Sequence, residues 1–449
     1  MNYKSPNRAN PFALLPFIIF IAIYLGAGIY FQLQGTAMAF YQFPSVTAMF
    51  IAVISAFCLS RDPIMYKFGI FAKGAGNDNI MIMLMIYILA GAFSAVAAAM
   101  GGRDATVNLG ISLIPPQFLT AGVFLISAFM GTATGTSMGT VAAIIPIAAG
   151  IAEKSGIPAP LLLAACVGGA MFGDNLSMIS DTTIAATRTQ GCDLKDKFRV
   201  NFLIALPAAL CTVALLMVLG NPGTAVPAAG DYTFLKVLPY MAVLLLALAG
   251  LNVFLVLVTG IFLAGIIGLL GGSLTVITFA QQIWTGFTSM NEAFFLALFC
   301  GGISEMISYY GGIAWLIEKL QKSIRNTKSA QVGIAVLVSL VDCATANNTV
   351  AIIVSGDVAK KISTKYRVDP RKSASLLDIF SCVFQGILPY GAQLLTAAAL
   401  ASQSGLTINT LDIVPHMWYC FFLAAFGLLS VFIPYSDRVI RKHPWKWEE

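Results

Sequence analysis

Charge is what this chain has least of. Only 10% of its 449 residues are Asp, Glu, Lys or Arg, against about 25% in an ordinary soluble domain, which excludes a fold with a normally solvated surface. Histidine is almost missing: His416 and His443 are the two present, too little for imidazole chemistry. The eight cysteines stand singly, most of them inside apolar runs (Cys58, Cys166, Cys211, Cys300, Cys420), with no CxxC pair. Neither a disulfide framework nor a thiolate metal site is expected from that spacing. No GxxxxGK[ST] run occurs, which argues against an ATP-driven pump. No cofactor, no enzymatic chemistry and no nucleic-acid partner is indicated.

Apolar length is what the chain has instead. Hydrophobic residues make up 58% of it and its mean hydropathy is +0.84. Runs of ~20 apolar residues, enough to cross a hydrocarbon core as helix, recur throughout. They fall near 11–33, 44–60, 80–101, 118–151, 161–190 and 199–220 and, after the Pro/Gly-rich connector Asn221 to Asp231, near 234–250, 252–271, 291–312, 330–359, 374–404 and 414–434. The expected fold is an all-α polytopic protein of the plasma or inner membrane, in contact with lipid. The first run has no small-residue cleavage site behind it and reads as a retained span.

The second set of runs repeats the first. A shift of 211 or 212 residues places Ala133-Thr134 on Ala344-Thr345, Met171-Phe172 on Val383-Phe384 and Asp181 on Gln393. Duplication of this kind is a transporter signature. Lys and Arg concentrate in 61–73, 188–199, 319–328, 360–372 and the tail from Arg438, whereas 34–43, 221–233 and 272–290 have none; the basic loops are expected on the cytoplasmic side. Counting every run as one crossing puts 188–199 and 360–372 on the wrong side. The conflict disappears if 118–151 and 330–359 are re-entrant hairpins with tips at Gly131 to Gly139 and Asp342 to Thr349. Each half, 1–220 and 221–449, then has five crossings and one hairpin, the halves are inverted, and both termini are cytoplasmic. Interruptions in 161–190 (GDNLSMISD) and 374–404 (QGILPYGAQ) predict broken helices meeting the hairpin tips near the bilayer midplane.

The stretch Gly173 to Thr183, GDNLSMISDTT, carries the chemistry. Two carboxylates at membrane depth are expensive and mark an ion or substrate pathway by default. Small hard cations take oxygen ligands, and Asp174, Asn175, Ser177, Ser180, Asp181, Thr182 and Thr183 could furnish them, with Na⁺ centred on Asp174 and Asp181. Desolvation favours the neutral form of a carboxyl group, so Na⁺ and H⁺ can compete for one site and their opposite movements become coupled. The first hairpin tip adds Thr134, Thr136 and Ser137. The second adds Asp342, Thr345, Asn347, Asn348 and Thr349, which suit either a cation or a substrate carboxylate. Gln385, Tyr390 and Gln393 replace the acids by neutral groups in the second broken helix. Glu305 is open between a proton carrier, a partner for a basic loop residue and a helix cap.

The run MFGDNLSMISDTT, with TGTSMGT upstream, resembles the NhaC family of Na⁺/H⁺ antiporters, whose usual form is approximately GDKxSPxSDTT. Asn175 stands where many members have Lys, and Met178 where they have Pro. Hairpins and broken spans in inverted repeats are also similar to the wider ion-transporter superfamily. The resemblance implies cation or proton roles for Asp174, Ser177, Ser180, Asp181 and Thr182, and coupling by Na⁺ and H⁺. The leading expectation is exchange of cytoplasmic Na⁺ for external H⁺. The alternative is Na⁺- or H⁺-coupled carriage of a small carboxylate or amino acid, since relatives are assigned to malate/lactate exchange and amino-acid uptake. A homodimer is compatible with either.

Overall fold

The computed structural model describes residues 9–34, 36, 42–113, 115–178, 180–220, 230–249, 251–322, 324–442 and 444–445. Most of the 221–231 connector, and His443, lie outside them. The regular structure of the described residues is helical throughout, without strands. Among the described residues ten helices are long and apolar enough to cross a membrane, eleven if the bent pair Thr410–His416 and Trp418–Phe432 is one span.

The first half runs α1 (Leu15–Leu33), α2 (Ser45–Cys58), α3 (Ile64–Ala75), α4 (Asp78–Ala99), α5 (Gly102–Leu113), α6 (Leu119–Thr134), α7 (Ser137–Ser155), α8 (Ala159–Leu176), α9 (Asp181–Gln190) and α10 (Leu194–Leu219). The second runs α11 (Phe234–Leu248), α12 (Val253–Leu270), α13 (Val276–Ser289), α14 (Asn291–Tyr309), α15 (Gly312–Gln321), α16 (Thr327–Thr345), α17 (Asn348–Tyr366), α18 (Pro370–Ile387), α19 (Ala392–Gln403), the single turn α20 (Thr410–Ile413) and α21 (Trp418–Phe432). Helices α7, α8 and α9 begin at 137, 159 and 181, and α17, α18 and α19 at 348, 370 and 392, a constant offset of 211. In this register Asp174 falls opposite Gln385, and Thr182 rather than Asp181 opposite Gln393.

Several segments read as loops are helical. Most of 61–73 is α3, most of 272–290 is α13, and α5 and α15 follow α4 and α14. At 10 to 14 residues each they are too short to register as membrane-length runs.

The two hairpins turn alike. Helix α6 ends at Gly135 (φ 68°) and α16 at Ala346 (φ 49°), both left-handed, a conformation that costs a residue with a Cβ more than glycine. Thr136 and Asn347 then cap the returning helices, accepting from the amides of Gly139 at 3.3 Å and Val350 at 3.0 Å, which meets donors that the first turn leaves open. The long spans break at equivalent points: Ser177 and Leu388 are extended where α8 and α18 stop. Helix α6 lies so close to α8 that a Cβ on Gly173 would stand 2.5 Å from Gly131 Cα. Small residues permit such backbone contact between helices in lipid.

Polarity is reversed relative to a soluble protein. Leu33, Phe129, Leu210, Val218, Leu270 and Ile277 are exposed, whereas Ser127, Asp174, Ser180, Lys197, Asn201, Asp342 and Asp378 are buried. Apolar burial therefore surrounds a polar centre formed where the hairpin tips meet the helix breaks.

Candidate cation and proton site

Asp174 sits in the last turn of α8 and is buried. Its Oδ2 accepts from Ser137 Oγ, the first residue of α7, at 3.0 Å. Its Oδ1 accepts from Ser180 Oγ and, at 3.5 Å, from Thr182 Oγ1; the two hydroxyls lie 2.7 Å apart. Ser180 is the N-cap of α9, yet its side chain makes no capping bond, because its hydroxyl is directed to Asp174. The break in the helix is what folds Ser180 and Thr182 back over a carboxylate six and eight residues earlier.

Asp181 opens α9, where the positive end of the helix dipole suits a carboxylate. It is exposed, its Oδ1 accepts from the Thr182 amide at 3.0 Å, and its Oδ2 accepts from Thr349 Oγ1 at 2.7 Å. Thr349 belongs to α17, so this bond ties the second hairpin to the first broken span.

Thr136, Ser137, Asp174, Asp181, Asn347, Asn348, Thr349, Gln385 and Gln393 line one cavity of about 100 Å³. A second cavity of about 300 Å³, lined by Thr134, Thr136, Asp181 and Asn252 among apolar residues, shares Ile82, Ile86, Thr136 and Asp181 with it. Asp181 stands where the two meet and Asp174 lies within the smaller. Gln393 Nε2 donates to Ser137 Oγ at 3.1 Å, and Gln385 is 2.8 Å from Gln393. Among the described residues no cluster of three or more His, Cys, Asp or Glu is present. The oxygens here are those of two carboxylates, hydroxyls and amides, a donor set for a hard monovalent cation with water.

Other residues of the motif are placed elsewhere. Successive residues of a helix point about 100° apart, so Asn175 turns away from Asp174, towards the Met171 carbonyl at 3.0 Å and Cys382 Sγ at 2.9 Å. Thr183 accepts from Lys197 Nζ at 2.7 Å. Ser177 is buried at the cap of α8. Tyr390 donates to the Cys343 carbonyl at 3.0 Å and packs edge-on against Phe17 and Phe20. Glu305 is paired with Lys73 at 2.5 Å and, with Thr345 and Asn347, lines a further cavity of about 60 Å³ that has Asn347 in common with the first. Asp342 is fully buried behind Gln385.

Sequence reasoning missed a second ionic centre beside this one. Lys197 of α10 and Asp378 of α18 form an ion pair at 2.7 Å. Asn201 Nδ2 also donates to Asp378, at 2.6 Å, while Ser375 donates to Asn201 Oδ1 at 2.5 Å. Lys197 reads in sequence as one more loop cation. Asp378 was the available signal, a lone carboxylate inside 374–404.

The sequence matches the Na⁺/H⁺ antiporter family over residues 5–221 and 227–436. It is 27% identical over 401 residues to the Na⁺/H⁺ antiporter NhaC of Bacillus subtilis, covering 81% of this chain and 85% of that one. It is 24% identical over 456 residues to the malate-2H⁺/Na⁺-lactate antiporter of the same organism, covering 93% and 94%. The crystal structure of the YdaH transporter of Alcanivorax borkumensis covers 86% of this chain and 90% of its own at 14% identity, with a TM-score of 0.45. With a match spanning nearly its whole length and, among the described residues, ten helices apolar enough to cross a bilayer, the chain belongs to the Na⁺/H⁺ antiporter family and is a multi-pass membrane protein.

Proposed function

We propose that this protein is a secondary active antiporter exchanging cytoplasmic Na⁺ for external H⁺, with Asp174 as the group for which the two ions compete. The observation that supports this most is the setting of Asp174. It is buried, hydrogen-bonded by hydroxyls from the first hairpin and from beyond the helix break, and faces a cavity. Among the described residues no ammonium or guanidinium is paired with it. An ionised carboxylate so placed is costly to carry through a low-dielectric barrier, and either Na⁺ or H⁺ removes that cost. One group that holds either ion but not both couples their movements. The cavity lining holds two carboxylates, hydroxyls and amides and, among the described residues, no basic side chain, which suits a cation with water better than an organic anion. Asp181, with Thr349, forms its entrance.

The architecture in this reading is two inverted repeats, 1–220 and 221–449, each with five crossings and a re-entrant hairpin (118–151, 330–359), and with both termini cytoplasmic. The constant 211-residue offset of the helices and the distribution of Lys and Arg support it.

A specific feature favours the second reading, carriage of a small carboxylate. The first residues of α7, α9 and α17 and the second of α19 all line the same cavity, and the N-termini of half-helices suit anionic substrate groups. Proteoliposomes containing a pH dye separate the two. Under the antiporter reading, Na⁺ alone dissipates an imposed proton gradient. If Na⁺ is inert until malate or lactate is added, the antiporter reading fails and the second stands.

A further inference from the structure

Asp342 and Asp174 are the ends of one hydrogen-bonded chain. One amide atom of Gln385 lies 3.1 Å from Asp342 Oδ1, and the other 2.8 Å from Gln393 Oε1. Gln393 Nε2 lies 3.1 Å from Ser137 Oγ, and that hydroxyl 3.0 Å from Asp174 Oδ2. The chain draws on α16, α18 and α19 of the second half and α7 and α8 of the first. Asp342 is 0% exposed, and its Oδ2 has no partner among the described residues.

The chain has four contacts and needs a hydrogen in each. A glutamine that offers oxygen to one neighbour and nitrogen to the other supplies one, and a serine hydroxyl supplies one. Gln385, Gln393 and Ser137 therefore supply three. The fourth must come from a carboxyl group at one end. When the donors point towards Asp174, Asp174 accepts as a carboxylate and Asp342 must donate to Gln385. When both amides turn over, Gln385 donates to Asp342, Ser137 donates to Gln393, and Asp174 must carry the hydrogen. Turning Gln385 alone lets its oxygen accept from the Ala392 amide at 3.3 Å but sets it 2.8 Å from the oxygen of Gln393, so the amides turn together.

We infer that Asp342 is a second proton-holding group, linked through Gln385, Gln393 and Ser137 to Asp174, and that it is protonated whenever Asp174 is ionised and holds Na⁺. This rests on the reading of Asp174 given above. Asp342 is then not a cation ligand. It is a positioning residue that orients Ser137 towards the ionised form of Asp174. The titratable groups near this corner are Cys343 on the same helix, Tyr390 and Cys300, uncharged as thiols and a phenol, and no basic side chain is paired with Asp342 among the described residues. The amides do not themselves relay a proton; each end exchanges its proton separately, and the chain sets which end is filled.

Asparagine at 342 can donate to Gln385 as the protonated acid does, whereas leucine cannot. Sodium binding to the purified protein, measured with ²²Na⁺, should be lost in Asp174→Asn, retained within about threefold in Asp342→Asn, and weakened at least tenfold in Asp342→Leu. Infrared spectra at saturating Na⁺ should show a protonated carboxyl band in the wild type that is absent in Asp342→Asn. Loss of Na⁺ binding in Asp342→Asn equal to that in Asp174→Asn, or a band unchanged in Asp342→Asn, overturns the inference. Wild-type binding by Asp174→Asn overturns the reading of Asp174 instead, and the infrared band alone then decides for Asp342.

Discussion

Lys197 Nζ donates to Asp378 Oδ2 at 2.7 Å, and each side chain leaves 1% of its surface exposed. The same ammonium donates to the Asn175 carbonyl at 3.3 Å and to Thr183 Oγ1 at 2.7 Å. One cation therefore bridges both sides of the broken span, α8 before the break and α9 after it, and its charge is balanced from the second half. At the C-terminal end of α8 it also opposes the negative end of the helix dipole. Removing one partner of such a pair strands a buried charge at a cost of about 3–5 kcal/mol, whereas removing both costs far less. Lys197→Met is expected to lower the unfolding temperature of the detergent-solubilised protein sharply, and Lys197→Met with Asp378→Leu to recover most of the loss. Additive losses in the double variant would contradict this.

The Thr349–Asp181 bond joins the second hairpin to the first broken span. Thr349→Val removes the donor, a loss of about 1 kcal/mol for an ordinary hydrogen bond. The Na⁺ concentration giving half-maximal flux should rise roughly fivefold, with Thr349→Ser near the wild type. An unchanged Na⁺ dependence in Thr349→Val would remove Asp181 from the ion path.

Gly173 and Gly131 are in backbone contact, which holds the first hairpin against the carboxylate-bearing helix. Gly173→Ala inserts a methyl group where none fits, at a cost of about 1–3 kcal/mol. A lower melting temperature together with weaker Na⁺ binding is expected, because the same shift moves Ser137 from Asp174. Unchanged melting would mean that the contact is looser than the structure has it.

Inversion of the halves is tested by labelling. In a background without the exposed cysteines Cys58 and Cys211, a membrane-impermeant thiol reagent should reach Glu153→Cys from outside the cell and Lys365→Cys only from the cytoplasmic side. Labelling of both from one side would rule out the inverted arrangement.

The ends of α6, α8, α16 and α18 fall in stretches that carry a local signal in sequence: glycine or hydroxyl clusters interrupting an apolar run. Asp174, Ser180, Asp181 and Thr182, which the fold brings together, lie in one such stretch. What was not legible depends on rotation and distance. Asn175 and Thr183 belong to the same motif, but each stands one position after a residue of the Asp174 cluster, and helical rotation turns the Asn175 side chain towards Cys382 and Thr183 towards Lys197. Lys197 looked like topology because its tether to Asp378, 181 residues away, exists only in the folded chain. Glu305 and Tyr390 are polar and near the centre in sequence, yet their partners are Lys73 and the Cys343 backbone.

The central claim is that Asp174 is the shared seat of Na⁺ and H⁺. Its most direct test is Na⁺-driven proton flux through Asp174→Asn in proteoliposomes, at protein incorporation matched to the wild type. An amide keeps the volume and the hydroxyl contacts but provides neither the negative charge for Na⁺ nor a titratable site. The account predicts that Na⁺ alone collapses the proton gradient with the wild-type protein and leaves it intact with Asp174→Asn. Wild-type flux through Asp174→Asn would contradict it.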